Sequence, residues 1–164
     1  KSLEPSIKII SVNLGKISVI DAALTAKLFP DHRISFVEDH SDYNYESDFT
    51  FVPAEIVFEC GIDNIDIFMN IASMQEMKQN TINQYFYWMR SQTKKAPHFY
   101  CCNRVSKTLP DGETITFAGL GWQITDKHLL DEPCPWYQGC PTNKPPFWAK
   151  LDGEMWHRLS ILKK

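Results

Sequence analysis

The chain has 164 residues, enough for one domain with a buried core. Its 20 acidic and 17 basic residues leave a net charge of -3, and the lysines and arginines are scattered. That balance excludes a general nucleic-acid binder, because neutralising phosphates takes clustered Lys and Arg. No apolar run approaches the roughly twenty residues a membrane helix needs, and no signal peptide is recognisable, so no membrane span and a cytoplasmic location are expected.

Taken in order, residues 7–12 (Ile-Lys-Ile-Ile-Ser-Val) are β-branched and apolar, as a short buried strand should be. A helix is predicted over 17–28, with Ile17, Ile20, Leu24 and Leu28 on one face and Pro30 closing it. Residues 33–37 read as a second strand. The acidic stretch 38–48, with Glu38, Asp39, Asp42, Glu46 and Asp48, reads as a solvated loop. It has no glycine-bracketed calcium pattern, and no metal site is expected. A short strand at 49–52 and a turn of helix within 53–60 follow.

Residues 63–69 are nearly continuous in apolar side chains, the pattern of a central strand covered on both faces. The next helix is predicted over 75–93, burying Ile82, Tyr85, Phe86 and Met89 against a sheet. A strand over 98–105 leads into Leu109-Pro-Asp-Gly-Glu113, a strong turn signal, so 113–117 should return antiparallel as a hairpin. Residues 119–146 look irregular, and a long loop of that kind is often a binding loop. Residues 156–162 form a predicted terminal strand. Alternation of strands and helices followed by a late hairpin argues for one α/β domain over 1–164, with a largely parallel sheet.

Five cysteines are present. Cys101 and Cys102 are adjacent within an apolar run, where a strand sends neighbours to opposite faces. They read as small buried hydrophobes in a reducing compartment. Cys134, Cys140 and His128 lack the spacing of a zinc site.

The chemistry-bearing residues bunch where an apolar strand meets a helix: Asn70, Ser73, Gln75 and Glu76. In an open α/β sheet that rim, outside the carboxyl ends of the strands, is where ligands bind. Here the strings Asn70-Ile-Ala-Ser-Met-Gln-Glu-Met77 and Phe99-Tyr-Cys-Cys-Asn-Arg104 (continuing to Glu113) resemble the putative sugar O-methyltransferases. These are S-adenosylmethionine-dependent enzymes with a Rossmann-like fold.

The resemblance implies a mostly parallel methyltransferase sheet with one reversed strand near its C-terminus. It also implies S-adenosylmethionine as cofactor and a sugar hydroxyl as acceptor, on a cell-surface polysaccharide or a nucleotide-sugar. Asn13 would take the ribose-binding position, where an acid is usual, and Asn70 and Ser73 would lie beside the cofactor. No G-x-G-x-x-G occurs, and the chain starts at Lys1 without a methionine. The expectation is therefore the C-terminal portion of a longer enzyme, or a truncated relative.

Methyl transfer to a hydroxyl needs alignment and a proton acceptor. Glu76 is the first candidate base and His157 the second, its intrinsic pKa lying near neutrality. Asn103 and Arg104 suit sugar hydroxyls, or a sugar phosphate through the guanidinium fork. Gln75 and Ser73 would orient the acceptor or cap the helix. Trp122, Trp136 and Trp148 would stack on sugar rings or pin the loop. The alternatives are a noncatalytic binding or assembly module and, more remotely, a metal-dependent transferase using the 39–48 carboxylates.

Overall fold

The computed structural model describes residues 6–43, 46–92, 96–137, 139–150 and 152–164. The chain is mixed α/β, with two α-helices and several mostly small sheets among those residues. It divides into two compact units, Lys1–Asp63 and Asn64–Lys164. Two stretches of the sequence expectation, the predicted helix end at Thr93 and residues 44 and 45 of the acidic loop, lie outside the described residues. No helix among the described residues is long and apolar enough to cross a membrane.

In the first unit, strand β1 (Ile9–Asn13) leads into helix α1 (Gly15–Leu28), then β2 (Ile34–Phe36) and β3 (Phe49–Pro53). The strands form a parallel sheet in the order β1-β3-β2. The central β3 is buried from Phe49 to Val52, as a parallel strand flanked on both sides should be. Helix α1 departs from expectation. Ser18 is its only buried residue, while Ile17, Ile20, Leu24 and Leu28 are exposed. Small and short side chains face the strands, since they allow close approach of helix to sheet, and the predicted apolar stripe looks outward. Residues 54–61 are a run of turns rather than a turn of helix.

In the second unit, β4 (Ile67–Ile71) is followed by a 3-10 turn (Met74–Glu76), helix α2 (Gln79–Ser91) and β5 (His98–Arg104). Parallel neighbours need such a crossover, and α2 supplies it. The chain then forms the hairpin β6 (Ser106–Thr108) and β7 (Thr114–Thr116), followed by β8 (Lys127–Pro133), β9 (Gly139–Pro141), β10 (Trp148–Lys150) and β11 (Met155–Ile161). The larger sheet has the order β4-β5-β11-β8. Strand β11 runs antiparallel to both its neighbours, so it alone is reversed.

The core of this unit lies between that sheet and α2. Ile82, Phe86 and Met89 of the helix meet Phe99 and Cys101 of β5, with Leu109, Ile115 and Leu120 closing the hairpin end. The predicted buried face of α2 is therefore found, with Tyr85 packed at its margin. The predicted hairpin is found as well. Its turn is closed by the Leu109 N–H donating to the Glu113 carbonyl at 2.7 Å, with Gly112 at φ 92°.

Two expectations are corrected. Residues 119–146 are not irregular throughout, because β8 and β9 lie within them. Strand β8 is an edge strand, mostly exposed along Lys-His-Leu-Leu-Asp-Glu-Pro, so it carries no hydrophobic alternation that a sequence could show. The strand predicted over 63–69 starts at Ile67 and is covered on the α2 side only. Ile67, Met69 and Ile71 remain exposed.

Candidate functional site

The carboxyl ends of β4 and β5 meet at one rim, and the polar residues singled out in the sequence gather there. Asn103, on β5, is 1% exposed. Its Nδ2 donates to Asn70 Oδ1 on β4 at 3.0 Å, and its Oδ1 accepts the Gln75 N–H at 3.2 Å. Gln75 Oε1 accepts the Arg104 N–H at 2.8 Å. Three side-chain amides thus lock the end of one strand to the turn leaving the other. Each of these amides finds an acceptor for its buried donor, as burial demands.

The turn between β4 and the 3-10 segment is strained. Ala72 sits at φ 57°, a left-handed conformation that costs a Cβ-bearing residue on the order of 1 kcal/mol. It is fixed by its N–H donating to the Cys102 carbonyl at 2.8 Å. Strain of this kind persists where the surroundings over-determine it, and it clusters at ligand sites.

Ser73 occupies the N-cap position of the 3-10 turn but makes no side-chain cap. Asn70 does that work instead, its Oδ1 accepting the Met74 N–H at 3.0 Å, while its Nδ2 donates to Ser73 Oγ at 2.6 Å.

Glu76 stands on the rim with its side chain half exposed and ion-paired to Lys107. The Lys107 hydrogen bond, aided by Gln75 and by the charge of Arg104, holds its carboxyl below the usual carboxylate range against a burial effect of opposite sign. Both bonds fall on one oxygen: Gln75 Nε2 donates to Oε1 at 3.2 Å, and Lys107 takes the same atom. Oε2 has no partner among the described residues.

His157 does not join this group. It pairs across β11 with Cys102, whose side chain faces away from Asn103. His157 is 1% exposed, with Nδ1 bonded to the Tyr100 hydroxyl at 3.1 Å and Nε2 3.5 Å from Glu132 Oε1. The exposed Trp136 ring lies edge-on to it at 5.0 Å. The two candidate bases are therefore on opposite faces of the sheet. Asn13 belongs to the other unit, where its Oδ1 accepts the Leu14 N–H at 2.9 Å and its Nδ2 donates to Asp21 at 3.2 Å.

The tryptophans divide. Trp122 is core: its ring lies against Phe99, Phe86 and Phe117, and Nε1 donates to the Phe117 carbonyl at 2.8 Å, so it pins the loop. Trp136 and Trp148 are exposed. All five cysteines are free thiols, and burial pushes Cys101 and Cys102 up to about 12, which makes both inert at neutral pH. Among the described residues no three His, Cys, Asp or Glu side chains converge as metal ligands.

The sequence reasoning missed Lys107 and Ala72. The lysine looked like one scattered charge, and nothing in an Ala codes for a left-handed turn. No protein-family model matches this chain, and no curated protein is similar to it.

Proposed function

We propose that this rim serves an S-adenosylmethionine-dependent O-methyl transfer to a sugar hydroxyl, within a Rossmann-like methyltransferase sheet. One observation carries the reading. A parallel β4–β5 pair, followed by a single reversed strand, presents its polar residues at the carboxyl ends, outside which open α/β sheets bind ligands. The sequence strings around Asn70 and Asn103 support it by resemblance.

The residues present suit the cofactor. The tight turn at Ala72 leaves Ser73 exposed beside Asn70. When bound, the cofactor supplies an electrophilic methyl group on a sulfonium sulfur. The chain's own part is to hold the acceptor. Glu76 Oε2, left open by the bonds on Oε1, accepts a hydrogen bond from the sugar hydroxyl and aims the oxygen. A carboxylate kept this acidic takes a full proton poorly, so it works mainly by orientation and by stabilising positive charge on the hydroxyl as the bond forms, and the proton passes to solvent water at this half-exposed rim. Gln75 fixes the Glu76 rotamer and, through Asn103, the rim itself.

The noncatalytic alternative draws on the same ion pair, since a carboxylate committed to Lys107 also suits a binding module. Calorimetric titration of S-adenosylhomocysteine separates them. The methyltransferase reading expects binding, weakened several-fold by Ser73→Ala, and sugar methylation reduced at least tenfold by Glu76→Gln. Absence of binding at millimolar ligand sinks the cofactor; binding with no methylation of any sugar leaves the module.

A further inference from the structure

The second unit pairs two of its arginines with aspartates through two nitrogens each. Arg90 meets both oxygens of Asp126 at 2.7 Å, and Arg158 grips Asp131 at 2.9 Å through two nitrogens. Arg104 is treated differently. Its side chain is only 21% exposed, yet its guanidinium makes no hydrogen bond among the described residues. Its Nε is buried without a partner. The nearest carboxylate, Asp152, lies 3.9 Å from Nη1 and is itself fully exposed, so it is a weak counter-charge.

A guanidinium has five N–H donors in a fixed fork, and removing them from water without acceptors is costly. The local charge count points the same way. Lys107 is paired with Glu76, so among the described residues Arg104 is left with the exposed Asp152 at 3.9 Å and a share of the Glu76 charge. A neutral sugar hydroxyl answers one donor at a time, whereas phosphoryl or carboxylate oxygens answer the fork in pairs.

We infer that Arg104 receives an anionic group carried by a sugar, a phosphoryl or a carboxylate. That this sugar is the methyl acceptor rests on the methyl-transfer reading; the anion site does not. Arg104 is thus a specificity-determining residue. Charged sugars are its preferred ligands, and uncharged glycans bind poorly.

The test needs no cofactor. Glucose 1-phosphate, glucuronate and glucose are titrated into the chain by calorimetry at low ionic strength. One or both charged sugars should bind at least tenfold tighter than glucose, and the better of the two identifies the anion as phosphoryl or carboxylate. Arg104→Met should reduce that preference to less than twofold with an unchanged circular dichroism spectrum. Arg104→Lys should retain part of it, because the charge remains and the fork is lost. Asp152→Asn, a change at a fully exposed side chain, removes the carboxylate ion-paired to Arg104 at 3.9 Å and should tighten the charged sugar two- to threefold. If Arg104→Met does not fold, Asp152→Asn decides, and no tightening overturns the inference. Equal binding of glucose overturns it too, as does a charge preference that survives Arg104→Met. Failure of S-adenosylhomocysteine to bind, alongside an Arg104-dependent charge preference, removes the methyl transfer and leaves the anion site.

Discussion

At the scale of single residues, Asn103 holds the rim together. Its amide joins β4, β5 and the 3-10 turn through Asn70 Oδ1 and the Gln75 N–H, and its Nδ2 also reaches Cys101 Sγ at 3.1 Å. Asn103→Ala leaves the buried Gln75 N–H without an acceptor. The expected loss is about 2–3 kcal/mol, read as a lowered urea midpoint. A loss under roughly 0.5 kcal/mol would mean that water replaces the amide and that the rim is not dry. The sequence showed this cluster because polar side chains interrupt an otherwise apolar strand and its continuation. It did not show that Asn70 rather than Ser73 caps the turn, since cap geometry depends on which oxygen the strand ending delivers. Nor did it show that Arg104 Nε is buried with no acceptor among the described residues, which is a fact about every other side chain near it.

At the scale of elements, helix α2 behaved as its periodicity implied and α1 did not. Both have apolar residues at helical spacing, but the spacing says only that a face exists, not which face meets the sheet. In α2 the large side chains Ile82, Phe86 and Met89 fill the space above β5. In α1 the approach to its strands is made by Ser18, and the larger residues look outward. The packing above β5 is close enough to test. A Cβ added at Gly121 would lie 2.5 Å from Phe86 Cγ and 2.9 Å from Phe86 Cβ. Phe86 cannot yield, because Phe99 and Trp122 hold its ring from two sides at 5.5 and 5.1 Å. Gly121→Ala should therefore cost about 1–3 kcal/mol by overpacking. A thermal midpoint unchanged within a degree would show that the loop slides away from the helix instead.

Across the molecule, the second unit is tied at its C-terminus by one buried ion pair. Asp126 has a fully buried side chain, receives Arg90 of α2, and accepts the N–H groups of Gln123 at 2.9 Å and Lys163 at 3.0 Å. Burial by itself would raise its pKa, but the Arg90 hydrogen bond and the two N–H donors outweigh it, and the carboxyl lies below its ordinary value. Because the folded pKa is depressed, this stabilisation is present above the unfolded value of about 3.9 and is lost as pH falls below it. Urea unfolding between pH 7 and pH 3 should therefore show stability falling below about pH 4. Asp126→Asn should flatten that fall while costing about 3–5 kcal/mol at pH 7, since Arg90 is left buried and unpaired. An identical acid slope in the variant would assign the fall to other carboxylates.

What the sequence determined by itself was local: apolar runs long enough for strands, the amphipathic α2, the Leu109–Glu113 turn and the polar residues at a strand's end. Each follows from side-chain periodicity or from the dihedral limits of Pro and Gly, which act over a few neighbours. The tertiary structure decided that β8 exists as an edge strand, that β11 enters reversed between β5 and β8, and that α1 turns its apolar stripe outward. It also put Glu76 and His157 on opposite faces of one sheet and left the buried Arg104 Nε without a hydrogen-bond acceptor among the described residues. Those outcomes depend on which distant segments compete for the same space and the same hydrogen bonds, and no window of sequence contains both competitors.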